Sequence, residues 1–453
     1  MDTRLVVAAE CPTCGAPLNF TEGSTALRCL YCRSRLLVTG RKQVLSYAVL
    51  PRPDAEPAVA EALADQNATA PYRIVRRQIY FIPYYRLTGQ ELRWEKEPQA
   101  PDFPALAHLD YSQIAAVLAA ARGAGKLRVR EKVVLKDRHV EKNFVACPLQ
   151  GVGVYSLGIR PAVLRLSLFQ RQTLESLGKV VAVRLTPREA LARGRQTDDT
   201  QVVHREMVGQ VLSVLYFPFW VVEGERRGTR VCTVVDAVSR NVVATDVPSS
   251  LFSLLEQSPQ GTPEVVGFRP LVCPNCGWEL PVTPDDIIFF CSACRQAWQI
   301  LGSELTRVPY QVIAPPQGDK REALVFLPFW RLAVAQGLAP VAPLLLPAFR
   351  YRRVKMLIDL ARKMSLSLPG SPREDFPEKA PSVQGCYYDQ DDALALARVL
   401  ATGRALQQGA GEVGRGQELA LKQATLTWVP FKRQGNFLTD PVAGLQLSSG
   451  LLL

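Results

Sequence analysis

Catalytic signatures are missing from this 453-residue chain, and so are most of the side chains that carry them. There are three histidines, His108, His139 and His204, and none has a partner at metal-ligand or triad spacing. No Gly-x-Ser-x-Gly elbow occurs. AAARGAGKL at 119–127 puts Leu127 where a phosphate loop needs Ser or Thr, and a helical rather than a strand pattern precedes it. GVGVYSLG at 151–158 lacks the third glycine of a dinucleotide turn. The acid pairs Asp198–Asp199, Asp285–Asp286 and Asp391–Asp392 fall at turn or helix-start positions, where capping accounts for them. A membrane-spanning run is absent too. The longest apolar stretch, 338–349, is cut by Pro340, Pro343 and Pro347 and falls short of the roughly 20 residues a spanning helix needs. The opening MDTRLVVAAECPTC has neither the basic start nor the apolar core of a signal peptide. The expected location is cytoplasmic, with peripheral membrane contact left open.

What is present can build a sizeable core. Hydrophobic residues make up 47% and charged residues 21% of the chain, which excludes a wholly disordered protein. Its length predicts about three domains, and its 34 prolines predict short elements broken by turns. Net charge is +12, concentrated in residues 1–250 with 34 basic against 24 acidic residues. The densest run, 126–142, holds seven basic residues and three acids. Such an excess permits an anionic partner, although alternation of Arg128, Arg130 and Lys132 with Val129 and Glu131 equally describes a solvated strand face.

Eight of the eleven cysteines fall in four CxxC pairs. Cys11 and Cys14 are followed, after fourteen residues, by Cys29 and Cys32; Cys273 and Cys276 are followed, after fourteen, by Cys291 and Cys294. Both sets open Cys-Pro-x-Cys-Gly. A CxxC knuckle presents two thiolates on one side of a tight turn, and the following glycine tolerates the positive φ that closes it. Two facing knuckles give a tetrahedral sulfur site suited to Zn²⁺. The spacers are expected to be hairpins turning at Glu22–Ser24 and Thr283–Asp286. Rubredoxin-like iron usually has a longer insert, thioredoxin-like chemistry needs one unpaired CxxC at a helix start, and disulfides do not suit a chain without export signals. Cys147, Cys232 and Cys386 sit singly in apolar surroundings and read as buried small hydrophobes.

The two clusters resemble zinc ribbons of the transcription factor IIB and RNA-polymerase-subunit type, over about 25 to 30 residues each. The resemblance implies two structural zinc ions, one held by Cys11, Cys14, Cys29 and Cys32 and the other by Cys273, Cys276, Cys291 and Cys294. It does not choose between nucleic-acid binding, protein docking and a plain structural staple.

An aromatic phrase centred on proline recurs four times: IYFIPYY at 79–85, VLYFPFW at 214–220, LVFLPFW at 324–330 and LTWVPF at 426–431. Each reads as a strand, with the proline at an edge or bulge where no ladder bond is lost. Each ribbon precedes two copies, 158–179 parallels 345–363, and 186–195 parallels 389–398, so the pattern implies a tandem duplication. Residues 228–238 and 241–248 read as an antiparallel meander. Helices are expected over 110–123, 161–178, 187–195, 348–364 and 391–404. Ribbons with PFW-type strands are similar to uncharacterised bacterial zinc-ribbon proteins.

The expected fold is α+β in two similar halves, each a zinc ribbon plus a mixed or antiparallel sheet with helices: ribbon 1–45, unit 71–255, ribbon 270–305 and unit 306–453. The expected function is a non-enzymatic zinc-binding accessory or scaffolding protein with a protein partner in a larger assembly. A nucleic-acid-binding ribbon protein is the alternative, and an enzyme with an unrecognised site the third reading.

Overall fold

The computed structural model describes residues 5–38, 44–51, 73–98, scattered positions in 110–120, and 131–147, 165–196, 200–226, 228–256, 267–315, 324–336, 339–340, 342–367, 372–373, 376, 382–407, 419–440 and 444–452. The chain opens with β1 (Val6–Glu10) and β2 (Pro17–Thr21), an antiparallel pair, then β3 (Ala26–Arg28) and β4 (Arg35–Val38), another. There follow β5 (Leu45–Ala48), the long β6 (Arg73–Pro98), β7 (Glu131–Val145), β8 (Arg165–Leu168), α1 (Arg171–Leu177), β9 (Lys179–Val180) and α2 (Pro187–Arg195). The long β10 (Val202–Arg226), β11 (Thr229–Asp236), β12 (Val242–Pro248) and α3 (Ser250–Leu255) complete this part. With β1 and β2, strands β5 to β12 form one ten-stranded sheet.

Next come β13 (Phe268–Pro270), β14 (Ile288–Cys291), β15 (Gln296–Leu301) and β16 (Glu304–Val308), then β17 (Tyr310–Ile313), β18 (Leu324–Gln336), β19 (Ala339–Pro340) and β20 (Leu344–Pro347). The chain ends through α4 (Val354–Leu366), β21 (Pro372–Arg373), α5 (Gln390–Gln407), β22 (Leu419–Gln434), β23 (Phe437–Thr439) and β24 (Gln446–Ser448). Strands β17 to β24 form an eight-stranded sheet. The fold is therefore mixed and strand-rich with few helices, rather than an evenly composed α+β pair.

All four proline phrases are strands, but none lies at a sheet edge. Pro218 faces Phe81 of β6 on one side of β10. On the other side, β5 pairs in parallel as far as Tyr216 and β11 begins antiparallel at Phe219. Pro218 thus sits where the long strand changes neighbours. Its carbonyl accepts from Ala237 N at 3.1 Å on that side, and in an antiparallel ladder a residue's N–H and C=O face the same way. The missing N–H is aimed at the gap between two neighbours, where no ladder bond is lost. Pro83 lies between Phe81, where the pairing of β6 with β9 ends, and Tyr84, where its pairing with β7 begins. Pro328 lies between the Phe326–Val383 bridge and β20, and Pro430 between β17 and β23.

Two helices match their sequence signals. Thr186 caps α2 with Glu189 in a capping box, and the Asp389 carboxylate accepts from the N–H groups of Asp391 and Asp392 at the start of α5. The expected helix at 161–178 is corrected: among its described residues, 165–168 are β8 and the helix covers 171–177. Alternation of Leu166 and Leu168 with Arg165 and Ser167 fits a strand pairing with β5 and β1, and period two prevails over the helical reading. The basic helix expected from 348 starts at 354, because Phe349 and Tyr351 are buried as loop residues. Of the expected helix at 110–123, the described positions 112, 113, 115, 116, 119 and 120 are helical, and the rest lies outside the described residues.

The two large sheets share a core. Leu92, Leu135 and Val208 from β6, β7 and β10 join the apolar cluster built on α4, α5 and the second sheet. Trp94 Nε1 donates to Val399 O at 2.9 Å, and a Cβ on Gly403 would lie 2.4 Å from the Trp94 ring. At Gly403 only the smallest residue lets the helix approach that ring. Asp392 accepts from Gly209 N at 2.8 Å across the same contact.

Candidate metal centres

In each set the four cysteine sulfurs lie within 4.8 Å of one another. Sγ separations are 3.7 Å for Cys11–Cys32 and 3.9 Å for Cys14–Cys29, against 3.5 Å for Cys273–Cys294 and 3.6 Å for Cys276–Cys291. Bonds of about 2.3 Å to a tetrahedral zinc require sulfur separations of about 3.8 Å, whereas a disulfide would bring them to about 2.05 Å. The two groups are consistent with two structural zinc ions, and the donor set is all thiolate, which suits that metal.

Each knuckle closes in the same way. Gly15 N donates to Cys11 O at 2.8 Å, and Gly277 N to Cys273 O at 2.9 Å. Both glycines take positive φ, +71° and +72°, as the sequence predicts. At the second knuckles the equivalent position is Arg33 (φ 63°) and Arg295 (φ 57°). A left-handed arginine costs on the order of 1 kcal/mol, so these turns are held by their surroundings, with Arg295 N bonded to Cys291 O at 2.8 Å. Sequence reasoning had no signal for this.

Electrostatics within each set are uneven. The Ser34 hydroxyl, 3.1 Å from Cys32 Sγ, leads the effects that lower that thiol to about 6. Burial pushes Cys273 up, but backbone N–H groups of Cys276 and Asn275 outweigh it and bring the thiol down to about 7. Burial raises Cys291 to about 12. A zinc ion offsets such a rise by stabilising the bound thiolate directly.

The hairpins lie elsewhere than expected. Glu22–Ser24 joins β2 to β3, which belong to different sheets. The knuckles themselves are the hairpin turns: β1–β2 spans Cys11 and Cys14, β3–β4 spans Cys29 and Cys32, and β14–β15 spans Cys291 and Cys294. Tight turns pinned at a metal reverse the chain more sharply than the spacer does.

The two centres are also joined, although some 240 residues separate them. β13, which leads into the second ribbon, pairs antiparallel with β4 of the first. Thr25 N donates to Pro284 O, Arg35 Nη1 donates to Leu280 O at 2.8 Å, and Arg35 pairs with Glu279 at 3.0 Å. Ala26 and Leu37 share an apolar cluster with Leu271, Cys273, Phe289 and Trp298.

The first ribbon is bolted to its sheet by a buried charge cluster. Arg86 of β6, fully buried, donates to Glu22 at 2.8 Å and pairs with Glu141 of β7. Glu22, 2% exposed, also accepts from Ser213 of β10. Burial raises the Glu22 carboxyl above the usual range while Arg86 pulls it down.

Other sequence candidates do not converge on a site. Cys147, Cys232 and Cys386 are buried, and burial raises their thiols, Cys147 to about 12 and Cys232 to about 11. His139 is exposed, His204 is half-buried 3.5 Å from Glu206, and His108 lies outside the described residues. Asp285 pairs with Arg350, and Asp198–Asp199 also lie outside the described residues. Among the described residues, no helix is long and apolar enough to cross a membrane. No family model, no curated protein and no solved structure matches the chain.

Proposed function

We propose that this is a non-enzymatic zinc-binding accessory or scaffolding protein that acts through protein–protein contacts in a larger assembly. The observation that carries the reading is the exposure of large apolar side chains on the zinc knuckles. Leu30 is 90% and Tyr31 67% exposed between Cys29 and Cys32, and Trp278 is 61% exposed just after Cys276. A staple needs no such side chains outside, whereas exposed aromatics are what interface centres use. The test is size-exclusion analysis of native extracts containing zinc-loaded wild type or the Leu30→Ser/Tyr31→Ser variant. Wild type should elute in a defined assembly and the variant as the free chain with both metals retained. Identical elution of the two would refute the reading.

A nucleic-acid ligand is the second reading. Exposed Tyr31 stands between Arg28 and Arg33, which have no ion-pair partner among the described residues, and aromatics flanked by cations stack on bases. The basic run at 126–142 lends it little support. Lys136 pairs with Glu95 and Glu97, and Arg138 with Glu91. Submicromolar binding to DNA or RNA at physiological salt would put this reading first, since charge alone produces binding that fades as salt rises.

The duplication belongs with these proposals, as do the boundaries at 1–45, 71–255, 270–305 and 306–453. Its support is a shared hydrogen-bond plan. Pro83 faces Tyr216, two residues before Pro218, and Pro328 faces Trp428, two before Pro430. Ala146 N donates to Pro83 O as Ala348 N does to Pro328 O, and Val181 N to Phe81 O as Gln384 N does to Phe326 O. The parallel drawn between 158–179 and 345–363 keeps the same strand-then-helix order, β8 with α1 and β20 with α4, but β8 pairs with β1 and β5 whereas β20 pairs with β18.

A further inference from the structure

A cleft of about 250 Å³ lies where α4 and α5 pack on β6 and β7. Its floor is apolar: Leu135, Ile358 and Leu400 are buried there beside the half-buried Trp94 ring. Its rim is basic, with Lys355 and Arg362 from α4 and Arg404 from α5. Asp359 is the one acid in the lining, and it pairs with Arg362 of its own helix at 3.6 Å. Lys355 and Arg404 have no ion pair among the described residues, although Glu97 lies close enough to Lys355 to feel its charge. The lining therefore carries a net charge of +2 above a hydrophobic floor.

We propose that this cleft binds a small amphipathic anion, a monocarboxylate whose apolar tail lies on Trp94 and Leu400 and whose carboxylate faces Lys355 and Arg404. Ligand pockets usually begin at about 300 Å³, so the volume limits the ligand to a short chain or a single ring. Apolar lining with a few placed polar groups is the ordinary composition of such sites, and a guanidinium is well suited to carboxylate recognition. The walls come from both large sheets' elements, so an occupant would also bear on the contact sealed by Trp94 and Gly403.

The test is calorimetric titration of the full-length, zinc-loaded chain with sodium octanoate and, separately, with 1-octanol. Octanoate should bind one per chain, at least about tenfold more tightly than octanol, since a charge-assisted hydrogen bond contributes about that much. The Lys355→Gln/Arg404→Gln variant should lose that preference while octanol binding stays. Val134→Phe, which adds bulk to the cleft wall, should weaken both; a strand accepts Phe readily. Unchanged zinc content and circular dichroism check that each variant is folded. Non-saturating octanoate binding, equal affinity for octanol, or full octanoate affinity in either variant would overturn the proposal.

Discussion

Replacing Arg86 by Met should loosen the first ribbon from its sheet more than any single surface change. Arg86 is fully buried and holds Glu22 of the ribbon and Glu141 of β7. Breaking a buried pair from one side leaves a stranded charge, at a cost of about 3–5 kcal/mol. Glu141 is 21% exposed and can be partly hydrated, but Glu22 is 2% exposed and cannot. The loss should depend on pH. Glu22's folded pKa is raised, so its contribution is fully present below the unfolded value near 4.5 and is lost as pH rises through the higher folded value. Without Arg86 that folded value rises further, and the variant should be weaker at pH 8 than at pH 5. A chain of this size need not melt in one step, so hydrogen exchange at β2 and β3 is the assay. Exchange should accelerate by more than about 100-fold if local opening carries the cost. Arg86→Met/Glu22→Gln should recover part of the loss, because the stranded charge is gone. Exchange within a few-fold of wild type, or a double variant no better than Arg86→Met alone, would refute the reasoning.

Two more expectations follow from the sheets. Pro218→Val, similar in volume and facing the gap between β5 and β11, should change stability by less than about 1 kcal/mol, whereas Val221→Pro, paired with both Val234 and Gln78, should unfold the sheet; chemical denaturation of both decides it. Glu256 is held down to about 2 by hydrogen bonds from Lys179, at 2.8 Å, and Tyr80, at 2.7 Å, with Arg76 adding to them. Its depressed carboxylate stabilises above the unfolded pKa near 4.5 and loses that contribution as pH falls through about 2. The stability gap between wild type and Glu256→Gln should hold from pH 8 to about 5 and shrink below that.

The cysteine clusters were legible in the sequence because a metal site is specified locally: the spacing and the glycines at 15 and 277 suffice to set two knuckles face to face. The four proline strands were legible for a similar reason, since YFPFW is too aromatic and too short for a helix. Where each proline sits was not. That depends on which neighbour pairs at Tyr216 and which at Phe219, and both lie far away in sequence. The contact between ribbons rests on Thr25, Arg35 and β13, residues of no distinctive type whose role comes only from long-range pairing. β8 was misread because RLSL satisfies both a strand and the start of a helix, and its partners β5 and β1 decide the matter.

Elemental analysis of freshly purified protein is the most direct test of the two-centre account. It predicts two zinc ions per chain and little iron, with Cys11→Ser and Cys273→Ser each losing one zinc, because three cysteines rarely hold a structural ion. Loss of the second site should also loosen the cluster shared by Leu37, Cys273 and Trp298. One metal or fewer per wild-type chain, or iron in place of zinc, would contradict the account.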